Sequence, residues 1–186
     1  MKKFLSLAGI QVRKLDALYF LIGLVLPPIL LFLLFSALQY HGTFGNAAYL
    51  TLLLNGKRKL LYYLAVGFME EFLFRGIVLG LFYKKTNNRI VSALFSAIIF
   101  AIPHAINTNV PVSILLLFSF AFGILACEMR YFTKSIWMSS AFHWTWNYSI
   151  VSVFMATNTQ QFIYGWITAE IIGLILLFSV LCKRNP

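Results

Sequence analysis

Six apolar runs, at about residues 17–38, 60–83, 90–106, 110–129, 134–156 and 162–182, are each long enough, or nearly so, to cross a bilayer. A chain with this pattern has few folds open to it. In hydrocarbon each backbone N–H and C=O must be satisfied within the segment, so the runs read as helices. The expected fold is an all-α, polytopic transmembrane bundle of about six spanning helices. Composition agrees, because only 11% of the 186 residues are charged and 61% are hydrophobic, against roughly 25% charged in an ordinary soluble domain. No repeat, low-complexity tract or linker marks a second domain, and residues 1–186 read as one integral-membrane domain. The shorter run "AAYLTLLL", 47–54, would rise only about 12 Å as a helix and reads as an interfacial or re-entrant piece.

The formal charge of +10 arises from 15 Lys and Arg against 5 Asp and Glu, grouped in short clusters between the apolar runs. That grouping argues against nucleic-acid binding and for the basic cytoplasmic loops of a membrane protein. With the N-terminus inside, Lys2, Lys3, Arg13, Lys14, Lys84, Lys85, Arg89, Arg130, Lys134, Lys183 and Arg184 share the cytoplasmic side, while the loops "QYHGTFGN", "INTN" and "TNTQQ" opposite carry no Lys or Arg. Lys57, Arg58 and Lys59 are the exception. The protein is thus expected in the cell membrane, multi-pass, with both termini cytoplasmic. Its first apolar run, at 22 residues, exceeds the roughly 7–15 of a signal peptide's apolar region and reads as a retained span kinked at Pro27 and Pro28. Cys127 and Cys182 show no metal-ligand spacing and read as buried thiols.

Four of the five carboxylates, Glu70, Glu71, Glu128 and Glu170, lie in or at the edge of apolar runs. An ionisable group at mid-bilayer costs about 2.5–3.5 kcal/mol on insertion scales, so each asks for a partner or a task. In "FMEEFLFRGIVLG", residues 68–80, helix geometry puts Glu71 and Arg75 one turn apart on a shared face, while Glu70 diverges by about 100°. Glu71 then has a counter-ion on its own helix and Glu70 has none there, which suits Glu70 to act as a general base. His104 ends "FAIPH" in the third run, and His143 opens "HWTWN" in the fifth, with Asn147 one turn later. An imidazole and a carboxamide side by side can donate to one developing oxyanion. Glu70 with His104 can hold and deprotonate a water. Taken singly, each is more often a structural hydrogen-bonder than a site; Trp144 and Trp146 read as packing aromatics.

Together, Glu70-Glu71-x-x-x-Arg75, Phe100-x-x-x-His104 and His143-x-x-x-Asn147, with Phe74 and Gly76 flanking Arg75, resemble the signature of the CPBP intramembrane proteases, also called the CAAX protease, bacteriocin-processing or Abi family. The resemblance covers about residues 60–150. It implies an all-helical membrane bundle in which Glu70 and His104 activate water for peptide hydrolysis. His143 and Asn147 would form the oxyanion hole, with Glu71 and Arg75 supporting the helix. The implied substrate is a peptide or membrane-associated protein, processed or degraded, and no cofactor is implied.

Two other readings stay open. One Glu and two His also make up the open three-ligand set of a catalytic zinc, although no H-E-x-x-H is present. A non-catalytic bacteriocin-immunity or transporter-like protein would use the same buried charges for partner binding or ion relay. The sequence carries no sign of oligomeric state.

The topology is tested with single cysteines at Asn87 and Asn158 in a chain lacking Cys127 and Cys182. An impermeant thiol reagent added to intact cells should label position 158 and leave position 87 unlabelled; the reverse pattern overturns the orientation.

Overall fold

Asp16, buried at the start of the first apolar run, gives helix α1 (Asp16–Ala37) its N-terminus: its carboxylate accepts from the Arg13 backbone N–H at 2.6 Å and from the Arg13 guanidinium at 2.8 Å. An acidic group there also complements the helix dipole. The computed structural model describes residues 8–37, 57–106 and 111–153. The expected run 162–182, the 47–54 piece, Cys182 and Glu170 lie outside the described residues. Every element within them is helical: α2 (Lys57–Glu71), a π-helical turn (Phe72–Val78), α3 (Leu79–Thr86), α4 (Arg89–Ala101), a 3₁₀ turn (Ile102–Ile106), α5 (Val112–Thr133) and α6 (Trp137–Val153). Helix α1 runs through Pro27 and Pro28 without a break in the helix.

The segment α2–π–α3 is one continuous rod, and short polar residues end it. Asn87 adopts the left-handed conformation (φ 49°) and closes the last turn by donating to the Tyr83 carbonyl, a conformation asparagine tolerates better than most residues. Asn88 then opens α4 by accepting from the Val91 N–H at 3.1 Å. On the same side of the bundle, Arg13 also donates to the Thr133 carbonyl, and Ile136 N–H donates to the Gly9 carbonyl at 3.1 Å. The segment ahead of α1 is thereby tied to the α5–α6 turn.

Helix α6 packs against both α1 and α2, and α4 packs against α5. Close approach of backbones makes this arrangement possible. A Cβ on Gly23 of α1 would collide with the Met138 carbonyl of α6, and one on Gly123 of α5 would lie 2.9 Å from Ala97 Cα of α4. Without a hydrophobic drive between helices in lipid, such small-residue contacts are a main source of helix association. Leu31, Phe74, Phe100, Phe122, Phe142 and Trp146 fill the interior. The opposite face of α1 shows Leu18, Leu21, Val25, Ile29 and Leu33 exposed at three- and four-residue spacing, the stripe expected where a helix meets acyl chains. Among the described residues, three segments are long and apolar enough to cross a membrane: Asp16–Leu33, Arg89–Ile106 and Leu115–Thr133.

Candidate active site

The ionisable groups of the second apolar run are brought together where α2 passes into its π-helical turn. Such a turn bonds i to i+5 and widens the helix. Its carbonyl at Phe74 accepts both from the Leu79 N–H and, at 2.9 Å, from the Ser96 hydroxyl of α4. Phe74, Arg75 and Gly76 all turn inward there.

Arg75 is fully buried and has three kinds of partner. Its Nη1 lies 2.9 Å from Glu71 Oε1, its Nη2 donates to the Gly123 carbonyl of α5 at 3.2 Å, and its guanidinium sits 4.2 Å over the Phe100 ring of α4. Such a buried cation is tolerable only with a counter-charge and donors that find acceptors; the desolvated ring face adds to this. The i, i+4 pair read from the sequence is therefore present, but it is also the joint of three helices.

Glu71 has a second partner that spacing does not reveal. The same Oε1 lies 3.0 Å from His143 Nδ1 on α6, and the Ser139 side chain, one turn earlier on α6, also acts on this carboxylate. Glu71 is fully buried. The imidazole is wedged between aromatic rings, with Phe122 at 4.6 Å and Phe100 at 5.8 Å between centroids. Its other nitrogen, Nε2, lies 3.5 Å from Glu70 Oε2, and the Glu70 side chain is 31% exposed. Glu70 thus has no cation on its own helix but does have a histidine opposite.

These contacts fix the protonation geometry. A carboxylate paired with a guanidinium can only accept, so His143 Nδ1 carries a hydrogen and donates it to Glu71. Nε2 and Glu70 Oε2 are then two acceptors face to face, unless a proton lies between them.

His104 and Asn147 stand beside this cluster. His104, on the 3₁₀ turn, places Nδ1 2.9 Å from the Phe100 carbonyl, which fixes Nδ1 as the donor and leaves Nε2 as the lone-pair nitrogen. Its ring packs at 4.7 Å on Phe100, the same ring that lies over Arg75 and beside His143. Asn147, half-buried one turn beyond His143, makes no hydrogen bond among the described residues. Glu70, Glu71, Arg75 and His143 are in direct contact, while His104 joins them through Phe100.

The sequence reading had no signal for the Glu71–His143 bond, the Gly123 carbonyl or the place of Phe100 under Arg75. Trp146 stacks in the core against Phe142 at 5.3 Å. Cys127 is a fully buried free thiol. Glu128, which lies in or at the edge of an apolar run, feels Arg89 electrostatically but forms no ion pair among the described residues.

With this geometry in place, comparison with protein families gives one match, to the model described as "Type II CAAX prenyl endopeptidase Rce1-like", over residues 57–149, half of the chain. The chain belongs to this family. The matched stretch runs from the start of α2 into α6 and contains all six residues of the cluster and its flank. It is therefore a membrane-embedded CAAX-type endopeptidase, a hydrolase of peptide bonds. Comparison with curated proteins and with solved structures gives no match.

Removing the charge of Glu71 strands Arg75 and leaves one neutral amide oxygen where a carboxylate served both Arg75 and His143 Nδ1. Breaking one partner of a buried pair costs about 3–5 kcal/mol. Glu71→Gln is expected to lower the melting temperature of the detergent-solubilised protein sharply. A variant melting with the wild type shows that this pair does not hold the helices.

Proposed function

We propose that the protein hydrolyses a peptide bond of a peptide or membrane-associated protein substrate at this cluster, with Glu70 and His104 activating water and His143 and Asn147 receiving the oxyanion. The observation that carries this reading is His143 set between two unlike glutamates, Nδ1 at 3.0 Å from Glu71 and Nε2 at 3.5 Å from Glu70. Environment separates two neighbours in sequence: Glu71 is sealed and neutralised by Arg75, whereas Glu70 is partly open. Two carboxylates held in different surroundings commonly divide into a structural and a proton-carrying role.

In the proposed reaction, water donates a proton to Glu70 as its oxygen attacks the carbonyl carbon. The negative charge moves to the carbonyl oxygen. His143, with Nδ1–H held by Glu71 and the proton shared with Glu70 carried on Nε2, donates to that oxygen from Nε2, and the Asn147 carboxamide donates beside it. Glu70 then passes the proton to the departing amine nitrogen as the C–N bond breaks. Each proton taken from water is returned to a product, and no Lewis acid is required.

The test uses the purified protein with an internally quenched peptide ending in Cys-aliphatic-aliphatic-X, in S-farnesylated and unmodified forms, with products mapped by mass spectrometry. Glu70→Gln keeps the shape of the side chain but cannot accept a proton. It should melt with the wild type and lose about 10²–10⁴ in turnover, and Asn147→Ala should lose about 10²–10³. If both variants cleave at the wild-type rate, the hydrolytic assignment fails and an immunity or transport role for the buried charges becomes the better account.

On metal, a chelator is expected to leave cleavage unchanged. Stoichiometric zinc in the purified protein, lost with activity and restoring it on return, would establish the zinc mechanism instead.

A further inference from the structure

Two uncharged residues outside the cluster hold α2 against α6 at the level of the site. Gly67 lies three and four residues before Glu70 and Glu71, and points between their two directions on α2. A Cβ at this position would lie 2.9 Å from the backbone nitrogen of Trp144, 3.2 Å from its Cα and 3.3 Å from the Ser140 carbonyl. All three are backbone atoms within α6, so they cannot turn aside as a side-chain tip would. Glycine inside a helix is disfavoured relative to alanine, and the close approach is the physical reason for one here. Two turns earlier on α2, the Leu60 carbonyl accepts from Trp144 Nε1 at 3.0 Å. Trp144 thus touches α2 at two heights, by backbone at Gly67 and by side chain at Leu60, and it directly follows His143.

We propose that Gly67 and Trp144 are positioning residues that lock the register of α2 on α6 and thereby set the reach of Glu70 and Glu71 to His143. Two points of contact two turns apart fix both the separation and the slide of the pair. Loss of either contact lets the two helices shift locally at the level of the site and opens the 3.0 Å or the 3.5 Å approach to His143. The lock rests on the proposed reaction for its effect on rate, but not for its effect on geometry.

Both effects are measurable. Gly67→Ala should lower kcat on the quenched CAAX peptide by about 100-fold, the scale of a misplacement near 1 Å, with KM within about twofold. Trp144→Phe keeps an aromatic ring but loses the hydrogen bond to Leu60 together with the second ring of the indole. It should fold, with kcat about three- to tenfold lower and KM unchanged. The second readout is independent of activity: in ¹⁵N-histidine-labelled protein, the His143 resonances, identified by their loss in His143→Gln, report a hydrogen fixed on Nδ1. In both variants they should shift towards a mixture of tautomers.

An unaltered His143 spectrum with wild-type kcat in folded Gly67→Ala and Trp144→Phe overturns the lock, even if the melting temperature falls. A shifted spectrum with wild-type kcat upholds the lock and removes His143 from the hydrolytic machinery. If Gly67→Ala fails to fold, Trp144→Phe alone decides by the same two measurements.

Discussion

A single carboxylate oxygen, Glu71 Oε1, receives both the Arg75 guanidinium and the His143 imidazole inside a bilayer-spanning bundle. Through Arg75 that one atom is linked to the Gly123 carbonyl of α5 and the Phe100 ring of α4, and through His143 to α6. Four parts of the chain meet there. A buried ion pair adds little net stability over an apolar replacement, but it permits few alternatives. Any rearrangement that separates these helices leaves a charge in hydrocarbon without a partner. The cluster therefore specifies the arrangement, while the aromatic core and close glycine contacts supply most of the packing.

The surroundings of the cluster explain how polar chemistry is kept at depth. Phe100 and Phe122 border His143, and Phe100 alone touches His104, His143 and Arg75. Those rings shield the Glu71–Arg75 pair from water, so its interactions act in a low-dielectric setting. Glu70 stands at the margin of that shield. The Glu70 carboxylate is thus partly exposed, while the sealed side forms a packed support behind it.

Much of this was legible before any coordinates. The lengths of the apolar runs gave the fold class because backbone polar groups have no other solution in lipid. The i, i+4 spacing of Glu71 and Arg75 gave their pairing because both lie on one helix. What spacing cannot give is contact between helices: His143 lies 72 residues from Glu71, and no local rule assigns its Nδ1 to that carboxylate. Nor does a local rule foresee the π-helical turn at Phe72–Val78, whose displaced Phe74 carbonyl is satisfied by Ser96 from another helix. The place of Gly67 is hidden from the sequence for a related reason, since its significance is a distance to α6 backbone. The resemblance to a family supplied the grouping of the three motifs, and the family itself is borne out by the match over residues 57–149.

The separation of Glu71 from His143 along the chain has a consequence for biosynthesis. At about 5–20 residues per second, several seconds pass between the emergence of Glu71 and that of the histidine 72 residues later. For that time the second helix carries Glu70 and an incompletely partnered Glu71–Arg75 pair, and it is a poor candidate for independent partition into lipid. Insertion of this protein is thus a collective event. The charges of the early helix find their full set of partners only when α4, α5 and α6 have followed it into the membrane.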